Sequence, residues 1–67
     1  MKITLNNRPE EFDCDTKTVS EIMELKKFTF SKIIVRINDE FVEKEDYPKT
    51  QIQDGDNVMI LHLLAGG

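Results

Sequence analysis

With 67 residues, 39% hydrophobic and 33% charged, the chain has the composition of one small ordered domain, spanning 1–67. A domain near this size buries only about 60% of the surface its unfolded chain exposes. That leaves no room for a deep catalytic cleft beside a core, and it favours a binding module, carrier or subunit over a self-sufficient enzyme. The net charge is -4, and the one adjacent basic pair, Lys26-Lys27, shares its predicted helix with Glu21 and Glu24, which argues against nucleic acid and anionic membranes as partners.

Cys14 is the lone cysteine, so no internal disulfide forms. Met1-Lys2 leads directly into strand-like sequence without a secretory leader. No apolar run approaches the roughly 20 residues of a membrane span. The expected compartment is a reducing cytoplasm.

Lys2 to Asn6 alternates, with Ile3 and Leu5 on one face, and predicts a half-buried strand. Asn6-Asn7-Arg8-Pro9 is a turn cluster. Glu10 to Asp15, with Phe12 and Cys14 alternating with acids, predicts an edge strand completing a hairpin. Thr18-Val19-Ser20-Glu21 matches a capping box. Val19, Ile22, Met23 and Leu25 then recur at helical spacing, predicting a helix from about 19 to 27 with Lys26 and Lys27 in its last turn.

Ile33 to Asn38 is β-branched and predicts a strand, turned by Asn38-Asp39-Glu40 into a short partner at Phe41-Val42. Glu43 to Gln51 reads as a polar surface loop pinned by Tyr47. Asp54-Gly55-Asp56 is a tight turn, with Gly55 supplying the positive φ that other residues resist. Asn57 to Leu63 is the last and most apolar strand, suited to a central place beside the first. The order β-β-α-β-β-β predicts an α+β roll, a mixed sheet packed on one helix, as in the β-grasp or ubiquitin-like fold.

The last strand divides at period two into Val58, Ile60 and His62 on one face and Met59, Leu61 and Leu63 on the other. The β-branched Val58 and Ile60 match Val35 and Ile37 and are assigned to the core. Met59, Leu61 and Leu63, with Ile34 beside them, then form an open apolar patch of the kind that marks a partner site. Residues 64–67 follow as a flexible tail, Leu64-Ala65-Gly66-Gly67, which reaches roughly 13 Å when extended. Gly66 and Gly67 carry no side chains and can thread a channel too narrow for a Cβ. A terminal carboxylate there is anionic at neutral pH and reacts as an electrophile only after activation, for which ATP-dependent adenylation is the usual route.

These features together resemble the ubiquitin-like sulfur carriers, most closely the ThiS family of thiamine biosynthesis. The resemblance spans nearly the whole chain. It rests on the strand Ile3 to Asn6, the helix start Thr18-Val19, Val35-Arg36-Ile37-Asn38, Phe41-Val42 leading to Tyr47, Asp54-Gly55-Asp56 with its apolar strand, and Ala65-Gly66-Gly67. One departure is Glu43-Lys44, where many members carry a Pro-Arg-like pair.

The resemblance implies a carrier without catalytic residues, bound metal or cofactor of its own. A ubiquitin-activating-like adenylyltransferase would use ATP and magnesium to convert the Gly67 carboxylate to an acyl-adenylate. A sulfur donor, a cysteine desulfurase or persulfide enzyme, would leave a thiocarboxylate on Gly67, and thiazole synthase would accept the sulfur. Ala65 and Gly66 would thread into the partner's site, and Ile34, Met59, Leu61 and Leu63 would form the docking face.

Other residues carry simpler readings. Asp13 and Asp15 flank Cys14 and deny it the positive setting a reactive thiol needs. His62 lacks a Ser, Cys or acid at triad-like spacing. Glu43, Glu45 and Asp46 do not match a calcium loop, and Asp54 and Asp56 are turn residues. Competing functions are the small subunit of molybdopterin synthase, a ubiquitin-like modifier conjugated to lysines, and a binding module with incidental glycines. The first of these commonly carries prolines before its Gly-Gly end, and His62-Leu63-Leu64 has none.

Overall fold

The computed structural model describes residues 1–28 and 32–63. Residues 64–67, and with them the expected tail, the threading positions Ala65 and Gly66 and the modified Gly67, lie outside the described residues. Strands β1 (Lys2–Leu5) and β2 (Arg8–Glu11) form a hairpin, followed by β3 (Thr16–Thr18) and helix α1 (Val19–Leu25). Strands β4 (Ile33–Ile37) and β5 (Glu40–Val42) form a second hairpin. A single 3-10 turn (Lys44–Asp46), β6 (Gln51–Gln53) and β7 (Asn57–His62) complete the described elements.

The main sheet is five-stranded in the order β2-β1-β7-β4-β5. β7 is its centre, parallel to β1 and antiparallel to β4, as the apolar character of its two faces requires. The mixed sheet with one described helix is a β-grasp, ubiquitin-like fold, as expected.

Both hairpins are set by two-residue loops whose residues all have positive φ, Asn6 (51°) and Asn7 (67°) in the first and Asn38 (51°) and Asp39 (70°) in the second. Asn and Asp tolerate this region better than other side-chain-bearing residues, and such loops match the twist of the flanking strands. The registers Leu5↔Arg8 and Ile37↔Glu40 follow directly. At Gly55 φ is +87° with open space around the absent Cβ, so glycine is required there by conformation and not by crowding. Asp54 accepts from the Lys2 amide at 2.6 Å, and Asp56 accepts from the Gln53 amide at 2.9 Å and from Asn38 Nδ2 at 3.1 Å. These carboxylates hold the turn, the role expected of them.

The core consists of Ile3, Leu5, Val19, Ile22, Val35, Val42, Ile52, Val58 and Ile60. Val58 and Ile60 face inward, as expected from their branching. The capping box is present: Glu21 N–H donates to Thr18 Oγ1 at 3.1 Å, and the Glu21 carboxylate accepts from the Thr18 amide at 2.8 Å. Those bonds pull the exposed Glu21 carboxyl below its ordinary pKa.

Three expectations are corrected. Helix α1 stops at Leu25, not 27, because Lys27 turns left-handed at φ 57°. The Lys27 amide then donates to Glu24 C=O and the Phe28 amide to Met23 C=O, closing a left-handed C-terminal cap. Lys26 is the cap residue and its ammonium pairs with Glu10 of β2 at 3.0 Å. The second strand covers Arg8–Glu11 rather than Glu10 to Asp15; its edge position tolerates Pro9, and Phe12 and Cys14 lie beyond it. Glu43 to Gln51 is not a plain loop: it holds the 3-10 turn and leads into β6, which pairs with β3 in a separate two-stranded sheet. That ladder includes a Thr16–Gln51 side-chain hydrogen bond and buries Ile52. Tyr47 does pin this region, through its carbonyl on the Ser20 amide at 3.1 Å and its ring against the core. Burial, and secondarily the Glu43 carboxylate, raise the Tyr47 phenol above its ordinary pKa.

Candidate functional site: the open sheet face and the arm of β7

Helix α1 covers one face of the sheet. The other side of β4 and β7 carries the residues named as a docking face. Ile34 lies directly opposite Leu61 in the antiparallel pair, and Arg36 lies opposite Met59. Ile34 and Met59 are half-buried, whereas Leu61 is 40% exposed and Leu63 is 44% exposed. The Leu63 amide donates to the Lys32 carbonyl at 3.0 Å, so β4 steadies the chain up to the last described residue.

The four residues therefore lie together on one face, at the end of β7 that leads to residue 64. Phe41 extends this face and was missed from the sequence. It sits opposite Arg36 on β5, alternates with buried Val42 and is 59% exposed, the most exposed of the large apolar side chains described. The signal was present: a two-residue Asn38-Asp39 loop fixes the register and places Phe41 with Arg36 and Val42 with Val35.

Arg36 and Lys32 are exposed and share the parity of Ile34 along β4, so cationic groups flank the apolar patch although the chain as a whole is acidic. On the β1 side, the main-chain pairing of β7 ends early. The registered pairs are Thr4↔Asn57 and Leu5↔Val58, and the Asn6 amide donates to the Val58 carbonyl at 2.9 Å. Beyond that point Asn6 turns away and its carboxamide takes over. Oδ1 accepts from the Ile60 amide at 2.7 Å, and Nδ2 donates to the Ile60 carbonyl at 3.0 Å.

The remaining sequence candidates fall elsewhere. Cys14 is half-buried in an open cavity lined by Glu11, Asp13, Asp15 and Asp54 together with Lys2 and Met1. His62 is exposed, opposite Ile33 on β7. Among the described residues, no group of three or more His, Cys, Asp or Glu side chains is arranged to hold a metal ion. No described helix is long and apolar enough to cross a membrane.

Comparison with known proteins agrees with this architecture. The model of the ThiS family matches residues 3–67. A curated relative, the sulfur carrier protein ThiS of Bacillus subtilis (strain 168), is 28% identical over 65 residues, covering 97% of this chain and 98% of that protein. A crystal structure of a thiamine biosynthesis protein (ThiS) from Geobacter metallireducens superposes with a TM-score of 0.88 at 30% identity, covering 100% of both chains. An NMR solution structure of a thiamine biosynthesis protein from the same organism gives 0.79 at 30% identity, covering 100% of this chain and 88% of that one. The family match runs from the first strand through the final Gly66-Gly67, and on it the chain belongs to the ThiS family.

Proposed function

We propose that the protein is a sulfur carrier of thiamine biosynthesis, that it performs no catalysis itself, and that its cargo rides on the Gly67 carboxyl group. The supporting observation is the family match through Gly67, on a fold that sets an exposed apolar face beside the strand leading to it.

The chemistry follows from the electrophile. A carboxylate resists attack. A ubiquitin-activating-like adenylyltransferase, using ATP and magnesium, transfers AMP to the Gly67 oxygen and releases pyrophosphate. The terminal sulfur of a donor persulfide, on a cysteine desulfurase or another persulfide enzyme, attacks the acyl carbon and AMP leaves. A second thiolate cleaves the resulting acyl–S–S bond, forming a disulfide with the donor sulfur and releasing the thiocarboxylate. Thiazole synthase takes the sulfur, an oxygen atom from the acceptor's carbonyl group or from water replaces it on the acyl carbon, and the carboxylate is regenerated.

The chain supplies recognition and reach. Ile34, Phe41, Met59, Leu61 and Leu63 dock on an apolar partner surface. Arg36 and Lys32 favour carboxylates at its rim. Ala65 and Gly66 enter the partner's channel, where small or absent side chains admit close backbone approach.

Fragment-resolved mass spectrometry after incubation with the adenylating enzyme, ATP and a sulfur donor tests this reading. The expected result is replacement of one oxygen by one sulfur, localised to Gly67. Localisation distinguishes it from methionine sulfoxide, which adds nearly the same mass. An unmodified terminus beside a demonstrably active enzyme overturns it.

A further inference from the structure

We infer that Asn6 is a positioning residue: its side-chain amide substitutes for the missing continuation of β1 and fixes the direction in which β7 carries the arm. This rests on the proposed carrier role for its functional consequence, but not for its geometry.

In a parallel ladder, a strand that continued past Leu5 would offer β7 a carbonyl for the Ile60 amide and an amide for the Ile60 carbonyl. The chain instead reverses at Asn6-Asn7 to make the β1–β2 hairpin. Ile60 would then face an edge with neither partner. One primary amide supplies both, with Oδ1 at 2.7 Å from the Ile60 nitrogen and Nδ2 at 3.0 Å from its oxygen.

The residue must meet two demands together. Its backbone sits at φ 51°, which disfavours most side chains, and its side chain must present an acceptor and a donor at short reach. Glycine meets only the first demand. Aspartate, when ionised, offers no donor to the Ile60 carbonyl. Glutamine is one methylene longer. Asn7, at φ 67° in the same loop, is exposed and makes none of the side-chain bonds described, so it serves as the control.

The position of the clamp gives it a function. Ile60 lies on the core side of β7, directly before Leu61 of the docking face. On the opposite edge, β4 holds the strand through the Lys32 carbonyl to Leu63. Without Asn6, the end of β7 is hydrogen-bonded along the β4 edge alone at this level and can swing. The docking side chains still reach their partner, but the arm leaves at a wider range of angles, so fewer docked complexes place Gly67 for adenylation.

The test uses full-length N6G and N7G, both compatible with positive φ. Amide exchange by NMR is expected to accelerate at Ile60 by roughly tenfold in N6G, the scale set by the loss of a net hydrogen-bond contribution, while Val35 is unchanged. Pyrophosphate exchange with the adenylating enzyme is expected to show kcat lowered several-fold at unchanged KM, at a temperature where the variant is fully folded. A purely structural role leaves kcat at the wild-type value under those conditions. N7G is expected to match wild type in both assays. Wild-type exchange at Ile60 and wild-type kcat in N6G overturn the inference. If wild-type protein is itself not adenylated, the carrier reading fails, and the Ile60 exchange rate alone decides whether Asn6 clamps the strand.

Discussion

Ile60 and Leu61 are sequence neighbours on opposite faces of β7, and replacing each with alanine separates fold from docking. Ile60 is 2% exposed and Leu61 is 40% exposed. Truncating a buried isoleucine costs about 2–5 kcal/mol through lost transfer energy and an unfilled cavity. A chain of 67 residues has only about 3–10 kcal/mol of total stability at the usual 0.05–0.15 kcal/mol per residue. I60A therefore removes a large share. Each kcal/mol moves Tm by about 4–8 °C in a domain of this size, so the expected fall is about 8–40 °C. L61A truncates a side chain that is already 40% exposed, opposite Ile34 on β4, and is expected to cost about 1 kcal/mol or less. Binding should invert the order. A central apolar anchor costs about 2 kcal/mol or more on truncation, roughly a thirtyfold rise in Kd for the adenylating partner. Differential scanning calorimetry and isothermal titration calorimetry on both variants supply the four numbers. A Tm loss in L61A as large as that of I60A, or wild-type affinity in L61A, refutes the division of β7 into a core face and a docking face.

Deleting Gly67 is expected to abolish thiocarboxylate formation while leaving thermal unfolding unchanged, since the core runs from Ile3 to Ile60; unchanged sulfur transfer after the deletion refutes the carrier reading. The capping box makes stability depend on pH with a definite sign. The Glu21 carboxyl has a lower pKa folded than unfolded, so its stabilisation is present above the unfolded value and disappears as pH falls through the folded one. Urea titrations across the acidic range should show a steeper loss in wild type than in E21Q, and parallel curves would contradict it. Asp39 sits at φ 70°, exposed in its hairpin loop, so D39G is expected to raise stability by about 0.5–1 kcal/mol, checked by chemical denaturation.

What the residues made legible was whatever carried strong local patterning. The alternation of Ile3 and Leu5, the Thr18–Glu21 box, the Asp54-Gly55-Asp56 turn and the two faces of β7 each combine a periodic or capping signal with one dominant outcome. The misses share a different character. Helix α1 ended early because Lys27, not glycine, took the left-handed cap position, leaving no composition mark at the stop. β3 and β6 are three residues each and largely polar, and Ile52 is buried by tertiary placement rather than by any period of its own. Phe12 and Cys14 alternated with acids as a strand would, but the hairpin register set by Asn6-Asn7 ends the pairing at Glu11. The shared open face of Ile34, Met59 and Leu61 was readable because these residues lie on the longest strands, β4 and β7. Phe41 was not, because a three-residue strand shows its facing only through the loop that sets its register.

Under the proposed carrier role, the placement of these parts would let one strand serve both fold and delivery. On that proposal the same terminus would be presented to successive enzymes, and the proposed docking surface and arm would need a fixed relation. In this fold Met59 and Leu61 of the proposed docking face lie on β7, the last described strand before residue 64. The strand is secured along one edge by the β4 ladder through Lys32 and on its inner face by Val58 and Ile60 in the core. On the other edge, main-chain pairing with β1 is short, and the Asn6 carboxamide extends the hold to Ile60. Past Leu64 the sequence continues with small residues, Ala65, Gly66 and Gly67. Rigidity up to the docking side chains limits the entropy lost when a partner orients the arm. On the proposed reading, the small side chains of Ala65, Gly66 and Gly67 would let the carboxyl group enter a closed site. An arm rigid to its end would fit one enzyme's channel only, and a strand loose from Ile60 onward would lose the alignment that docking provides.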